Sequence, residues 1–318
     1  MHSALLNIFD YPKKDGRVIS SNQKIELPIL NNKKITLCIK REDELHPFIS
    51  GNKYRKLKYN IKEAENRGIK TLLTYGGAYS NHIAATAYAG KEYGFNTLGI
   101  IRGEELKEKW QENPTLKFAH ANGMQFKFVT RDWYRGKEEL VAIEGLKKEF
   151  GSFYRIPEGG TNSLAVLGCE EILDIKDLDF DVIATCVGTG GTISGIINSS
   201  REHQTTIGFP ALKGDFLKKD ICKFVKKSNW VLETKYNFGG YGKISKELVD
   251  FINDFKLKTS IPLDPVYTGK MMFGILDLVA QDYFKPGTKI LAIHTGGLQG
   301  ISGMNKVLKN KNLPVLEL

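Results

Sequence analysis

Polar and apolar positions along this chain follow two alternating rhythms. Short, mostly apolar or β-favouring runs at residues 71–75, 97–101, 124–129, 181–187, 205–209, 230–234 and 289–294 predict strands. Between them apolar residues return every three or four positions, as with Leu57, Ile61 and Ala64, which share one helical face. Helices are predicted around those three residues, over residues 80–93, 137–148, 192–199 and 270–283, and at the C-terminal end. Gly68 and Gly94 suit left-handed helix caps. Asn113-Pro114 joins a capping amide to a proline whose missing N–H does no harm in a first turn, and Asn122-Gly123 ends that helix. This βα rhythm predicts an α/β fold with largely parallel sheets, in which ligands gather at the carboxyl ends of strands. The opening segment is different: Ile35-Thr36-Leu37-Cys38-Ile39-Lys40 is β-like, and Pro12, Pro28 and Pro47 interrupt its surroundings. There is no internal repeat and no low-complexity linker, so two domains would be joined by short crossings.

Bulk properties narrow the class. At 318 residues, 41% hydrophobic and 26% charged, the chain can form one large or two moderate globular domains. No apolar run nears the roughly 20 residues that a membrane-spanning helix needs. Residues 1–7 lack the basic and apolar halves of a secretory leader, which predicts a cytoplasmic protein. The formal charge of +10 invites nucleic acid, but the lysines are interleaved with glutamates and no basic block is sustained. Lys218-Lys219 and Lys226-Lys227 read as solvated helix faces, and no nucleic-acid partner is expected. Cys38, Cys169, Cys186 and Cys222 form no C-x-x-C pair and read as reduced thiols, with Cys38 and Cys186 in strands; no metal site is expected.

Four glycine-framed loops follow apolar runs or open helices, and they carry the candidate chemistry. Gly51-Asn52-Lys53 places an amine at the mouth of a helix, where nearby cations can lower its pKa and make it a nucleophile; Lys56 competes with Lys53 on spacing alone. In Gly188-Thr189-Gly190-Gly191-Thr192 successive N–H groups can point at one anion, and Thr189 and Thr192 add hydroxyls. Ile193 stands where a dinucleotide fingerprint needs its third glycine, so the loop suits a phosphomonoester better than a pyrophosphate. Ser80-Asn81-His82, after Gly76-Gly77, can hold a carboxylate at a helix N-terminus, although Ser80 could equally be a plain cap. Tyr241, Tyr267 and Thr295 in His294-Thr295-Gly296-Gly297 complete the set. An amine nucleophile, a phosphate cradle and several hydroxyls are what a pyridoxal-phosphate enzyme needs.

In order and rough spacing, from Lys40-Arg41-Glu42-Asp43 to His294-Thr295-Gly296-Gly297, these motifs resemble the tryptophan-synthase-β type (fold type II) of pyridoxal-phosphate enzymes. Within that type they resemble the branch of 1-aminocyclopropane-1-carboxylate (ACC) deaminase and D-cysteine desulfhydrase. The resemblance implies Lys53 as the Schiff-base lysine, Asn81 at the cofactor's ring oxygen, and the loop from Gly188 to Thr192 as the phosphate cradle. It implies Ser80 as a carboxylate-binding or catalytic group, with Tyr241 and Tyr267 on the substrate side. It also implies a small domain of residues 54–162 set into a larger one of residues 1–53 and 163–318, in a homodimer. ACC deaminases of the branch carry a glutamate after the catalytic tyrosine and a leucine before the last Gly-Gly, whereas D-cysteine desulfhydrases carry hydroxyls at both positions. Here they are Thr268 and Thr295, which implies α,β-elimination from a small D-amino acid, D-cysteine first among them, with ACC deamination or a D-amino-acid dehydratase or racemase activity as the alternatives. Tyr79 replaces the usual glutamine and borders the expected carboxylate pocket.

Overall fold

The protein is described from a computed structural model, which covers residues 13–14, 17–214 and 216–317. The reading of residues 1–7 and the interruption at Pro12 lie outside the described residues. β1 (Lys13–Lys14) and β2 (Arg17–Val18) pair antiparallel, and β3 (Asn22–Lys24), α1 (Pro28–Lys33) and β4 (Thr36–Lys40) follow. Pro28, read from sequence as an interruption, instead opens α1, where its fixed φ suits a first turn.

α2 (Asn52–Asn66) buries Tyr54, Leu57, Ile61 and Ala64, and Gly68 beyond it is left-handed (φ 66°) as its position predicted. Burying one such leucine contributes about 1.5–3 kcal/mol. Arg55 of α2 reaches back to Glu42, just past β4, through a two-pronged pair at 2.8 and 2.9 Å that is almost wholly out of water. Removing either partner of a pair like this strands the other charge, at a cost of about 3–5 kcal/mol.

The next stretch alternates regularly: β5 (Thr71–Gly76), α3 (Asn81–Tyr93), β6 (Asn96–Arg102), α4 (Pro114–Ala121), β7 (Met124–Val129), α5 (Arg131–Arg135), α6 (Leu140–Phe150) and β8 (Tyr154–Arg155). Asn113 caps α4 by accepting the Leu116 N–H, as its place before Pro114 predicts. The helix expected over residues 137–148 begins only at Leu140, because the chain turns at Gly136 after α5.

The remainder runs α7 (Ser163–Glu170), β9 (Val182–Val187), α8 (Gly191–Ser199), β10 (Thr205–Pro210), α9 (Phe216–Cys222), β11 (Trp230–Leu232), α10 (Lys246–Thr259), α11 (Thr268–Ala280), β12 (Lys289–Ile293) and α12 (Ile301–Asn310). Lys226 and Lys227 are not helical; the Lys227 ammonium donates to the carbonyls of Asn198 and Ser200. α11 starts two residues earlier than the pattern suggested, because the Asp264 carboxylate accepts the N–H groups of Val266, Tyr267 and Thr268 and so initiates the turn.

Two parallel sheets result. One has the order β11-β10-β9-β12-β4-β3, parallel throughout except for β3; the other, from residues 71–155, has the order β7-β6-β5-β8 and is wholly parallel. Every residue of β9 is buried, as befits a central strand covered on both faces. The adjacent strands β9, β12 and β4 point their carboxyl ends the same way. Their loops therefore deliver Gly188–Thr192, Thr295–Gly297 and Gly51–Lys53 to one place, with the loop after β5 arriving from the second sheet.

Candidate active site

Lys53 is the second residue of α2, and its place is set by the glycine before it. Gly51 has φ 61°, and a Cβ there would stand 2.0 Å from the Thr295 carbonyl oxygen, so only glycine lets the two loops meet. The Asn52 N–H donates to that same carbonyl at 3.2 Å, and the Asn52 amide donates to Thr192 Oγ1 at 2.8 Å. Lys53 Nζ lies 3.3 Å from Asn52 Oδ1 and has no carboxylate of the described residues within 4 Å. Burial, then the neighbouring Lys56 ammonium, pull its pKa down to about 7. An ordinary lysine would be almost wholly protonated at neutral pH; this one is partly neutral there, the form a nucleophile needs.

One helical turn on, Lys56 is also buried, and its amine donates to Gly159 O at 3.0 Å and Thr161 Oγ1 at 3.1 Å. It faces the glycine loop: a Cβ on Gly191 would come within 3.3 Å of Lys56 Nζ. Gly190, at φ 84°, bends the chain into α8, and Thr189 Oγ1 meets Thr161 Oγ1 at 2.5 Å. Backbone N–H groups, two threonine hydroxyls and a buried ammonium thus converge on a cavity sized for a compact dianion.

Ser80 is the N-cap of α3 and accepts the Ile83 N–H at 3.3 Å. Asn81 turns toward the segment after β12, its Nδ2 standing 2.9 Å from where a Gly297 Cβ would be. His82 is buried, shares a hydrogen bond with Thr74 Oγ1 at 2.8 Å, and is held neutral by burial and then by Lys53 and Lys56. Tyr241 and Tyr267 stack edge to face, with centroids 6.1 Å apart. Desolvation first, and the other phenol among the further causes, raise the pKa of Tyr267 well above normal; Tyr241 is also raised, so both stay protonated at neutral pH. Lys53, Tyr79, Ser80, Asn81, His82, Tyr241 and Tyr267 line an outer cavity of about 390 Å³ that adjoins the inner one.

The structure therefore gathers the glycine loop, Lys53, Asn81 and Thr295 around the inner cavity, and the serine and tyrosines around the outer one. Thr268 does not join them: it is fully buried, and its hydroxyl donates to Asp264 Oδ1 at 2.8 Å. Several wall residues escaped the sequence reading. Lys56 was weighed only as a rival nucleophile, though its spacing of three from Lys53 puts both on one helical face. Cys186, read as an inert strand thiol, lines the inner cavity with its sulfur 2.9 Å from Thr295 Oγ1. Its place two residues before Gly188, at a strand's carboxyl end, was the available signal. Thr161, behind the wall against Lys56 Nζ and Thr189 Oγ1, carried none.

A phosphate-bearing aldehyde fits these residues. The low-pKa amine, the cradle at Gly190 and Gly191 that a side chain would fill, and the Lys56 ammonium beside it supply both of its attachments. Comparison with known proteins agrees. The chain belongs to the pyridoxal-phosphate dependent enzymes, whose family profile matches residues 19–296. Within that family it is of the ACC deaminase and D-cysteine desulfhydrase kind. It is 33% identical over 294 residues to the mitochondrial bifunctional D-cysteine desulfhydrase/ACC deaminase of Arabidopsis thaliana, covering 83% of this chain and 73% of that protein. A Pyrococcus horikoshii protein provisionally named ACC deaminase is 32% identical over 284 residues, 82% of this chain and 84% of its own length. The crystal structure of an ACC deaminase homologue superposes with a TM-score of 0.78 at 27% identity, over 97% of this chain and 99% of that one. The protein is thus a pyridoxal-phosphate-dependent enzyme of the lyase or deaminase type.

Proposed function

We propose that the enzyme catalyses α,β-elimination from a small D-amino acid, with D-cysteine converted to pyruvate, ammonia and hydrogen sulfide at the expense of one water. The observation that carries this reading is the lining of the inner cavity: Thr295 and the Cys186 thiol are there, and no aspartate or glutamate side chain. Pyridoxal phosphate, when bound, supplies the aldehyde for the lysine and a ring that withdraws electrons from the substrate's α-carbon. A hydroxyl at the ring nitrogen makes that withdrawal milder than a carboxylate would. Milder withdrawal suffices when a thiolate leaves the β-carbon, and serves less well for opening an unactivated cyclopropane.

In this reading Lys53 holds the cofactor through its amine, while the Gly188–Thr192 loop and Lys56 hold the phosphate. Asn81 and Thr295, both on the wall of the inner cavity, would hydrogen-bond polar atoms of the cofactor's ring. Ser80 and the N-terminus of α3 take the substrate carboxylate, with neutral His82 behind them. Lys53 or Ser80 removes the α-proton, and Tyr241 and Tyr267, both protonated, deliver a proton toward the departing sulfur. Residues 54–162 act as a small domain closing this cleft, and a cytoplasmic homodimer is the form we expect.

The test is product release from D-cysteine, L-cysteine, D-serine and ACC in parallel. Pyruvate from D-cysteine with no 2-oxobutyrate from ACC is the expected result. The second reading is ACC deamination to 2-oxobutyrate and ammonia. It is favoured by the names of the relatives, one of which carries both activities, and 2-oxobutyrate from ACC would establish it.

The lowered lysine pKa gives a further expectation. Capture of pyridoxal phosphate by the cofactor-free protein should speed up with pH until about 7 and then level off, because the amine is by then deprotonated. A water-exposed lysine would keep gaining until roughly pH 10.4. Stopped-flow absorbance across pH 5.5–10 distinguishes the two.

A further inference from the structure

We infer that Tyr79 is a positioning residue for amino-acid binding and that Gly303 of α12 is its seat. The inference rests on the proposed function and deepens it, because it assigns what fixes the carboxylate pocket. The turn after β5 closes through the Ser80 N–H donating to Gly77 O at 3.1 Å, with Tyr79 at its tip. From there the ring crosses to α12, which belongs to the other sheet's half of the molecule. A Cβ on Gly303 would lie 2.6 Å from Tyr79 Cε1 and 2.7 Å from Cδ1, far inside carbon–carbon contact. Glycine inside a helix costs roughly 0.5–1 kcal/mol relative to alanine. Here it makes room for a ring.

The residue on the far side of Ser80 meets the same segment. Asn81 Nδ2 stands 2.9 Å from the position of a Gly297 Cβ, and Asn81 Oδ1 stands 3.7 Å from that of Gly300. Ser80 is thereby slung between two footholds, both on the stretch that runs on from Thr295. The depth to which Tyr79 settles on α12 therefore sets how far Ser80 and the first N–H groups of α3 lie from Thr295 and Lys53. Tyr79 is nearly half-exposed, so a methyl group on Gly303 would unseat its ring and release Ser80 from that foothold. Lys53, clamped to Thr295 from the other side, would stay in place.

The test uses the cofactor-loaded enzyme and D-alanine, a small D-amino acid with no leaving group, whose binding is read from the absorbance of the bound cofactor. Gly303→Ala should weaken D-alanine binding about tenfold, in line with the usual cost of overpacking. Affinity for the cofactor itself should stay within about twofold. Tyr79→Ala should also weaken D-alanine binding, and Tyr79→Phe, which keeps the ring, should not. The double variant Tyr79→Ala/Gly303→Ala should bind no worse than Tyr79→Ala alone, because the methyl then enters space the ring has left. If Gly303→Ala does not fold, the contrast between Tyr79→Phe and Tyr79→Ala decides the matter. Wild-type affinity in Gly303→Ala, additive losses in the double variant, or equal losses in the two Tyr79 variants would overturn the inference alone. A wild-type enzyme whose spectrum responds to no amino acid would overturn the proposed function and the inference with it.

Discussion

Lys53→Ala, purified in the presence of pyridoxal phosphate and treated with borohydride, should carry no covalently trapped cofactor, while Lys56→Ala should still be labelled. The two amines lie one helical turn apart, and their surroundings separate them. Lys56 is engaged by Gly159 O and Thr161 Oγ1, whereas Lys53 has, among the described residues, the Asn52 amide oxygen alone and a pKa brought down to about 7. Lys53→Ala should also lose at least about three orders of magnitude in turnover, in keeping with the loss of a covalent catalyst. Lys56→Ala should instead weaken cofactor binding, because it removes the buried cation beside the phosphate cradle. Peptide mapping of the reduced adduct gives the answer directly. A label on Lys56 in the Lys53→Ala protein would reverse the assignment.

Gly51→Ala should be nearly as damaging although it removes no functional group. The added carbon would meet Thr295 O at 2.0 Å, Thr295 C at 2.3 Å and Gly296 N at 2.6 Å. All three are backbone atoms, which cannot swing aside as a side-chain tip would. The positive φ adds about 1–2 kcal/mol of strain for any residue with a Cβ. Relief requires separating the lysine loop from the Thr295 loop, and those loops carry opposite sides of the cofactor site. The expected outcome is a cofactor affinity lower by about two orders of magnitude, equivalent to about 3 kcal/mol. The second sheet, β7-β6-β5-β8, should stay folded. Spectroscopic cofactor titration, alongside circular dichroism of the same sample, checks both halves of this expectation.

The sequence pointed to residues of the candidate site wherever local chemistry and local geometry coincide. Lys53, Ser80-Asn81, the Gly188–Thr192 loop and Thr295 each stand at a glycine turn beside a strongly patterned strand or helix. Their convergence then follows from parallel strands pointing one way. Residues that reach the site by folding alone were hidden. Thr161 arrives through tertiary packing against Lys56 and Thr189, and nothing in its neighbours marks it. Thr268 shows the converse, since its place in the chain beside Tyr267 suggested the substrate, yet helix initiation by Asp264 turns its hydroxyl away. Among the elements, α10 kept a readable spacing in Leu248, Val249, Ile252 and Phe255 that the sequence reading passed over. α7 is harder to read: it is short and nearly all apolar, and its Gly168 is required because a Cβ would fall 2.0 Å from the Arg55 carbonyl oxygen.

The two lysines in the opening turn of α2 have a consequence for how long the folded protein lasts. Positive charge is least welcome at a helix N-terminus, and here two amines are buried there, one helical turn apart. A dianionic ligand that also consumes one of the amines relieves both penalties together. Cofactor that binds the folded chain and not the unfolded one should therefore slow its unfolding and proteolysis, and the loaded protein should outlast the cofactor-free one under limited protease.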